Sequence, residues 1–221
     1  MSDVYASLSG ARISKCELAI PYYGLWVADV ELPTEAPIPS PCTLVIADLS
    51  LVGSVARTDS FAGLRTARLV GGFGGWSKSP AYQEYMGVGG VQMSLILGDV
   101  AAAVGERVNV ANDASVGSFF FREFAPASRL LRQLSGGLWW AGADGTTQVG
   151  VSRSTLPITT SFLIEEFDPS TGRILASTES PGDWMPGRTV SNATLKTPRT
   201  LSLVRHILDN EGKLRTEAVA A

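Results

Sequence analysis

Between residues 11 and 70 the apolar side chains fall mostly on every second position, with turn residues between the runs. A period of two places alternate side chains on one face of an extended chain, so this stretch predicts short, half-buried strands. The runs are Ala11 to Ile20, Gly24 to Glu31, Cys42 to Ile46, Leu49 to Thr58 and Leu64 to Val70. Pro33, Pro37, Pro39 and Pro41 separate the second run from the third. Proline has no N–H to give to a ladder, which makes this a stiff extended loop. Five short strands at such spacing predict a small antiparallel β-barrel or sandwich. The run Gly71-Gly72-Phe73-Gly74-Gly75-Trp76 then ends the pattern, and its glycines predict a sharp connection out of the barrel.

The period turns helical after Val91, where Leu95, Leu97, Val100, Ala101 and Val104 recur at helical intervals and Gly105 supplies a stop. A second helix is predicted from Pro126 to Leu134. Ala127, Leu130, Leu131 and Leu134 form its apolar stripe, and Gly136-Gly137 ends it. Hairpins follow. Leu138 to Ala141 and Thr147 to Val151 flank an Asp144-Gly145 turn, Ser161 to Phe167 pairs with Arg173 to Thr178, and Leu201 to Leu208 pairs with Leu214 to Val219. The expected fold class is therefore α+β, mainly β. Three regions are expected: a β-barrel module over 1–76, an α+β module with two helices and a tryptophan hairpin over 77–151, and a β-hairpin region over 152–221.

Composition narrows the function classes. The chain has 221 residues, of which 45% are hydrophobic and 18% charged. That places it among foldable chains and outside the disordered class. With 18 Lys+Arg against 21 Asp+Glu, the net charge of -3 offers no basic excess for phosphate neutralisation, so specific nucleic-acid binding is not expected. Met1 to Gly10 lacks the pattern of a signal peptide, and no apolar run reaches the length of a membrane span. A soluble protein made in a reducing compartment is expected. Cys16 and Cys42 both lie in or beside alternating apolar runs, where two buried thiols are favoured over a disulfide.

Candidate chemistry is thin. His206, the single histidine, sits on a strand face with Ser202 and Val204 and is expected to be a partly exposed strand residue rather than a base. No Gly-x-Ser-x-Gly elbow occurs, and neither the Gly71 to Gly75 run nor Gly87 to Gly90 completes a nucleotide-binding pattern. Glu165 and Glu166 are neighbours in a strand and should face opposite ways, and Asp168 and Asp183 lie in turns, where aspartate bonds to its own backbone. Scattered Cys16, Cys42 and His206 give no zinc pattern. No catalytic residue, cofactor or metal site is assigned. The aromatics are more informative: of Trp139 and Trp140, consecutive in a strand, one should face outward, and Trp184-Met185 lies in a loop. Such side chains need cover, which this chain's own loops supply more readily than a partner surface does. The candidate interface comprises Pro37, Ile38, Pro39, Trp139, Trp140, Trp184 and Met185. An alternative use of Trp139, Trp140 or Trp184 is a stacking platform for cell-surface glycans.

Several segments taken in order carry a family likeness. Gly24-Leu25-Trp26-Val27-Ala28-Asp29-Val30, Gly53-Ser54-Val55 and Arg68 to Trp76 resemble the opening of tail or baseplate hub proteins of tailed bacteriophages. Tyr85, the helix Leu95 to Gly105, Phe121-Arg122 ahead of Pro126-Ala127, the tryptophan hairpin and Phe167-Asp168-Pro169 continue it over nearly the whole chain. The resemblance implies a non-enzymatic virion protein at the tail tip, made in the host cytoplasm. It implies a homo-oligomer, commonly a trimer, whose barrel modules form a ring joining the tail tube to spike or fibre proteins. No lysozyme-like domain accompanies it here.

Overall fold

The computed structural model describes residues 5–220. The first strands are β1 (Ala6–Leu8), β2 (Ala11–Arg12), β3 (Lys15–Pro21), β4 (Val27–Leu32), β5 (Cys42–Ile46), β6 (Leu49–Phe61) and β7 (Leu64–Gly71). A middle region holds β8 (Gln83–Met86), α1 (Met93–Val104), β9 (Val108–Val110), β10 (Phe119–Arg122), α2 (Ala127–Ser135), β11 (Trp139–Ala141) and β12 (Thr147–Val149). The last strands are β13 (Phe162–Asp168), β14 (Arg173–Thr178), β15 (Thr189–Val190), β16 (Arg199–Leu208) and β17 (Leu214–Ala220). The class is α+β, mainly β.

The expected alternation builds the first core. Cys16, Leu18 and Ile20 of β3, Ala28, Val30 and Leu32 of β4, Cys42, Leu44 and Ile46 of β5, and Leu49 and Leu51 of β6 all point into one cluster. Each fully buried Leu or Ile contributes roughly 1.5–3 kcal/mol. The segment from β2 to β3 changes partner at Ile13-Ser14: β2 pairs with β1, and β3 pairs with β4. The sheet β3-β4-β7-β6-β5-β1-β2 thus curls around this core, with its two ends joined through Ile13-Ser14. It is not a closed hydrogen-bonded ring, because the outer edge of β3 is taken by β16. Through that ladder the sheet runs on as β3-β16-β17-β14-β13, making a twelve-stranded sheet among the described residues.

One indole sets the glycine positions inside the curl. Trp26 is almost wholly buried, and Gly53 and Gly71 face each other across β6 and β7 beneath it. A Cβ on Gly53 would lie 2.5 Å from the Trp26 ring and 2.6 Å from the Val70 carbonyl oxygen, and one on Gly71 would lie 2.7 Å from Trp26 Nε1. These glycines make room for the indole.

Helix α1 starts at Met93 rather than Val91, because the Val91 backbone is already paired with Val116 and Gly117. Gln92 offers no side-chain cap. The Asp113 carboxylate takes that role, accepting from Ser94 N at 2.9 Å and from the Ser94 hydroxyl. These bonds hold the Asp113 carboxyl below the usual carboxylate range. Ile96, Leu97, Val100 and Val104 of α1 pack on Trp76, Tyr85, Leu131, Trp139 and Val149 in two adjoining cores. Two small sheets cover them: β11-β12-β9, in which β12 and β9 run parallel, and the ribbon β10-β8. The third core gathers Ile174, Ala176, Val190, Leu201, Val204 and Ala218 around Trp184, with Phe162 edge-on to its ring at 5.3 Å.

Strands β1, β8, β9, β10 and β15 are additions to the pattern read from the sequence. They are short, and β10 is an uninterrupted aromatic run followed by arginine, so none shows a polar-apolar alternation of useful length.

Candidate interaction surfaces

The glycine run does cradle an anion, and the anion is the chain's own. Gly105, in the left-handed conformation, closes α1, and Glu106 N donates back to the Ala101 carbonyl at 2.7 Å. This stop aims the Glu106 side chain into the turn Gly72 to Gly75. Its carboxylate accepts from Phe73 N at 3.1 Å and from Gly75 N at 2.5 Å, and it is buried. A Cβ on Gly75 would meet the Val104 carbonyl oxygen at 2.4 Å, so this turn and the helix end fit only without one. Trp76 then donates from Nε1 to Thr147 Oγ1 at 2.9 Å, fastening the connection to β12.

Two other buried charges also serve backbone. Arg153 donates to the Tyr22 carbonyl at 2.6 Å and the Pro21 carbonyl at 2.9 Å, and it lies 4.3 Å over the Trp140 ring. Burial pulls its guanidinium down to about 10. Arg122 donates to the Ala81 carbonyl, Tyr85 Oη and Gln83 Oε1 at 2.9–3.0 Å, locking β10 to β8.

The sequence candidates separate. Trp184 has no exposure and Trp139 is buried, so neither offers an outward face; each fills a core of this chain instead. Trp140 is half-buried, donates to the Val151 carbonyl at 2.9 Å, and has Arg153 over its ring. The three indoles therefore form no open stacking platform. Met185 packs against the first core. Pro37 and Pro39 are exposed, while Ile38 turns onto the same core.

His206 is not partly exposed but wholly buried, because β16 is central in the sheet between β3 and β17 and the Trp184 segment lies over it. Its Nδ1 lies 3.0 Å from Thr216 Oγ1, and Nε2 has no hydrogen-bond partner. Burial lowers its pKa to about 4. Cys16 and Cys42 are buried free thiols, pushed up by burial to about 12 and about 11. Glu165 and Glu166 do not face opposite ways: a bulge between Ile164 and Glu166 inserts an extra residue, and both carboxylates are exposed. Asp168 accepts from Ser170 N, Ser170 Oγ and Thr171 Oγ1 at 2.6–2.9 Å, which brings its carboxyl to about 2. Asp183 lies 3.6 Å from Arg188. On the outer face of β3, β4 and β7 a concavity of about 390 Å³ holds Glu17, Asp29, Glu31, Arg57, Asp59 and Arg68, with Asp29 clamped by Arg68 at 2.7 and 2.8 Å.

Among the described residues, exposed large apolar side chains gather at two places. At one end of the curl the β6–β7 hairpin carries Phe61 and Leu64 at its tip. The proline loop is pinned to that tip: Gly63 N donates to Glu35 Oε1 at 2.9 Å, and Arg65 donates to the Glu35 carbonyl. Pro37, Pro39, Phe61 and Leu64 thus belong to one end of the molecule. The second surface is the ribbon β8-β10, where Tyr82, Met86, Phe119 and Phe121 are between 46% and 80% exposed. Phe119 lies opposite Met86, and the rings of Tyr82 and Phe121 are 6.3 Å apart. No sequence signal marked this face, since single exposed hydrophobics are ordinary and only the pairing of β8 with β10 gathers them.

No family model and no curated protein matches the sequence. Solved structures do match over nearly the whole chain. A tail protein from Neisseria meningitidis MC58 superimposes with a TM-score of 0.66 at 13% identity, covering 99% of this chain and 96% of that one. The 43 kDa tail protein of prophage MuSo2 from Shewanella oneidensis gives 0.67 at 11% identity, covering 100% and 97%. The fold is that of phage tail proteins. The E. coli c3393 protein, a type VI secretion component described as similar in structure to the T4 tail proteins gp27 and gp5, shares it as well. There the TM-score is 0.69 at 9% identity, with 97% of this chain and 76% of that one covered.

Proposed function

We propose that the protein is a structural, non-enzymatic component of a phage tail tip, a baseplate hub that assembles as a homo-oligomeric ring and joins the tail tube to spike or fibre proteins. The observation that carries this reading is the near full-length match to solved tail proteins. It is supported by the use made of the buried charged groups: Glu106, Arg122 and Arg153 hold backbone turns and strands in place. Exposed apolar surface gathered at a hairpin end and on a ribbon suits a subunit packed between neighbours. In this reading the segments 1–76, 77–151 and 152–221 act as the barrel, α+β and hairpin modules of one hub. The end bearing Pro37, Ile38, Pro39, Phe61 and Leu64 docks another tail protein, and Trp140 and Met185 brace the contacts between modules.

The test is assembly. Sedimentation of the purified chain, alone and with tube and spike proteins of the same tail, should show a closed oligomer of a few subunits that co-migrates with them. A monomer that binds neither would overturn the proposal.

A further inference from the structure

We infer that the outward face of the β8-β10 ribbon is covered by a second copy of this chain and is the contact that makes the oligomer. The inference rests on the ring reading above and names the surface that builds it.

The face is mostly apolar. Tyr82, Met86, Phe119 and Phe121 occupy it together with one charged residue, Glu84, which stands opposite Phe121. Phe124, the fully exposed Val88 and the exposed, charged Glu123 flank it at the strand ends. At roughly 200 Å² for a whole aromatic side chain, the exposed parts of Tyr82, Phe119, Phe121 and Phe124 present on the order of 500 Å². That already reaches the upper range for the largest patch on a monomer, about 300–600 Å². Met86 and Val88 bring it towards the ~800 Å² that each partner buries in a stable complex.

The composition identifies the occupant. Interfaces between proteins that also live apart are about as apolar as ordinary surface, whereas those between copies of one chain are distinctly more so. A two-stranded ribbon is also marginal without a second layer on it. Here the inner face has one, since Tyr85 and Phe120 pack with Val91 and Ile96, while the outer face has none among the described residues. Another edge of the fold shows what protection looks like: β13, at the end of the large sheet, carries a bulge and the exposed Glu165 and Glu166. The ribbon has no bulge, and Phe119-Phe120-Phe121 runs through it. The outer ribbon face is left apolar because a sister subunit covers it.

The experiment uses the full chain. Sedimentation equilibrium is measured for the wild type, for Met86→Lys, for Phe119→Ser and for Phe61→Ser at the hairpin tip, with far-UV circular dichroism to show that each variant keeps its fold. Met86→Lys places a cation on an exposed strand position and breaks no internal bond. We expect Met86→Lys and Phe119→Ser each to raise the dissociation constant at least about tenfold, while Phe61→Ser leaves it unchanged. A wild-type oligomer that persists in both ribbon variants would overturn this inference and leave the ring reading standing. A wild type that stays monomeric at every concentration would overturn both. A monomer whose ribbon is covered only when a tube or spike protein is added would assign the face to that partner and reject the second copy.

Discussion

Lowering the pH from about 7 to about 5 should destabilise this fold through one side chain. His206 is wholly buried on the central strand β16, and burial is the main cause of its depressed pKa of about 4; the Trp184 backbone, which favours the charged ring, offsets only part of it. A protonated ring needs an acceptor at each nitrogen. Nδ1 meets the Thr216 hydroxyl, but Nε2 has no acceptor within normal hydrogen-bond distance, so the Trp184 backbone compensates the charge only weakly. An unfolded histidine titrates near 6.5. Above about pH 6.5 the ring is neutral in both states and costs nothing. Between about 6.5 and 4 the unfolded chain binds a proton that the folded one refuses, so stability falls as the pH falls, by up to ~1.4 kcal/mol per pH unit. Over the whole window the loss is roughly 3 kcal/mol, a large part of the 5–15 kcal/mol typical of a domain. Below about pH 4 the folded ring also protonates and the contribution levels off. The lowered carboxyls of Asp29, Asp113, Asp144 and Asp168 contribute stability above the ordinary carboxylate pKa and lose it only at lower pH, so the two windows separate. Urea unfolding followed by circular dichroism at fixed protein concentration, at about pH 7, 6 and 5, measures the effect. His206→Gln keeps a polar group for Thr216 and cannot titrate, and its curve should be flat where the wild type falls. Parallel pH dependence in the two proteins would refute the reasoning.

Three further outcomes follow from the packing. Gly53→Ala drives a methyl into the Trp26 ring and the Val70 carbonyl, and should cost about 1–3 kcal/mol in urea unfolding with Trp26 fluorescence altered. Glu106→Ala leaves the N–H groups of Phe73 and Gly75 without their carboxylate and should cost about 1–3 kcal/mol, with amide hydrogen exchange rising first across residues 72–76. The thiols of Cys16 and Cys42, raised by burial, should react with a disulfide reagent only after denaturation; rapid labelling of the native protein would contradict their placement.

The elements legible in the sequence were those with long alternation or a glycine stop. β5 spans Cys42–Ile46 as its five-residue alternation implied, and α1 ends at Gly105. The surfaces were far less legible, because exposure is a property of the assembled fold. Trp139-Trp140 and Trp184 look alike in sequence as apolar side chains needing cover. The structure supplies that cover from Val149, Arg153 and Phe162, which are remote along the chain or placed by a turn. The ribbon was invisible for the reverse reason. Phe119, Phe121 and Met86 are separated by α1 and β9, and only the antiparallel register of β8 with β10 brings them onto one face. The bulge at Glu165 defeated the strict two-residue period in the same way, by a backbone irregularity that no residue type announces.

The buried charged groups bear on how the parts of this architecture are held together. A buried charge costs several kcal/mol unless its hydrogen bonds are satisfied, and a reactive site tolerates that cost to hold a perturbed group beside a cleft. Here Glu106, Arg122 and Arg153 instead bond to the groups that fix where one element meets the next: the exit from β7 against the end of α1, β8 against β10, and the end of β3 against the segment after β12. Each of these charges is therefore a joint between parts of the chain. Loosening one would shift the hairpin end or the ribbon relative to the large sheet. In the proposed hub, two separate apolar surfaces would have to meet neighbouring subunits at fixed angles, and such joints are what would hold those angles.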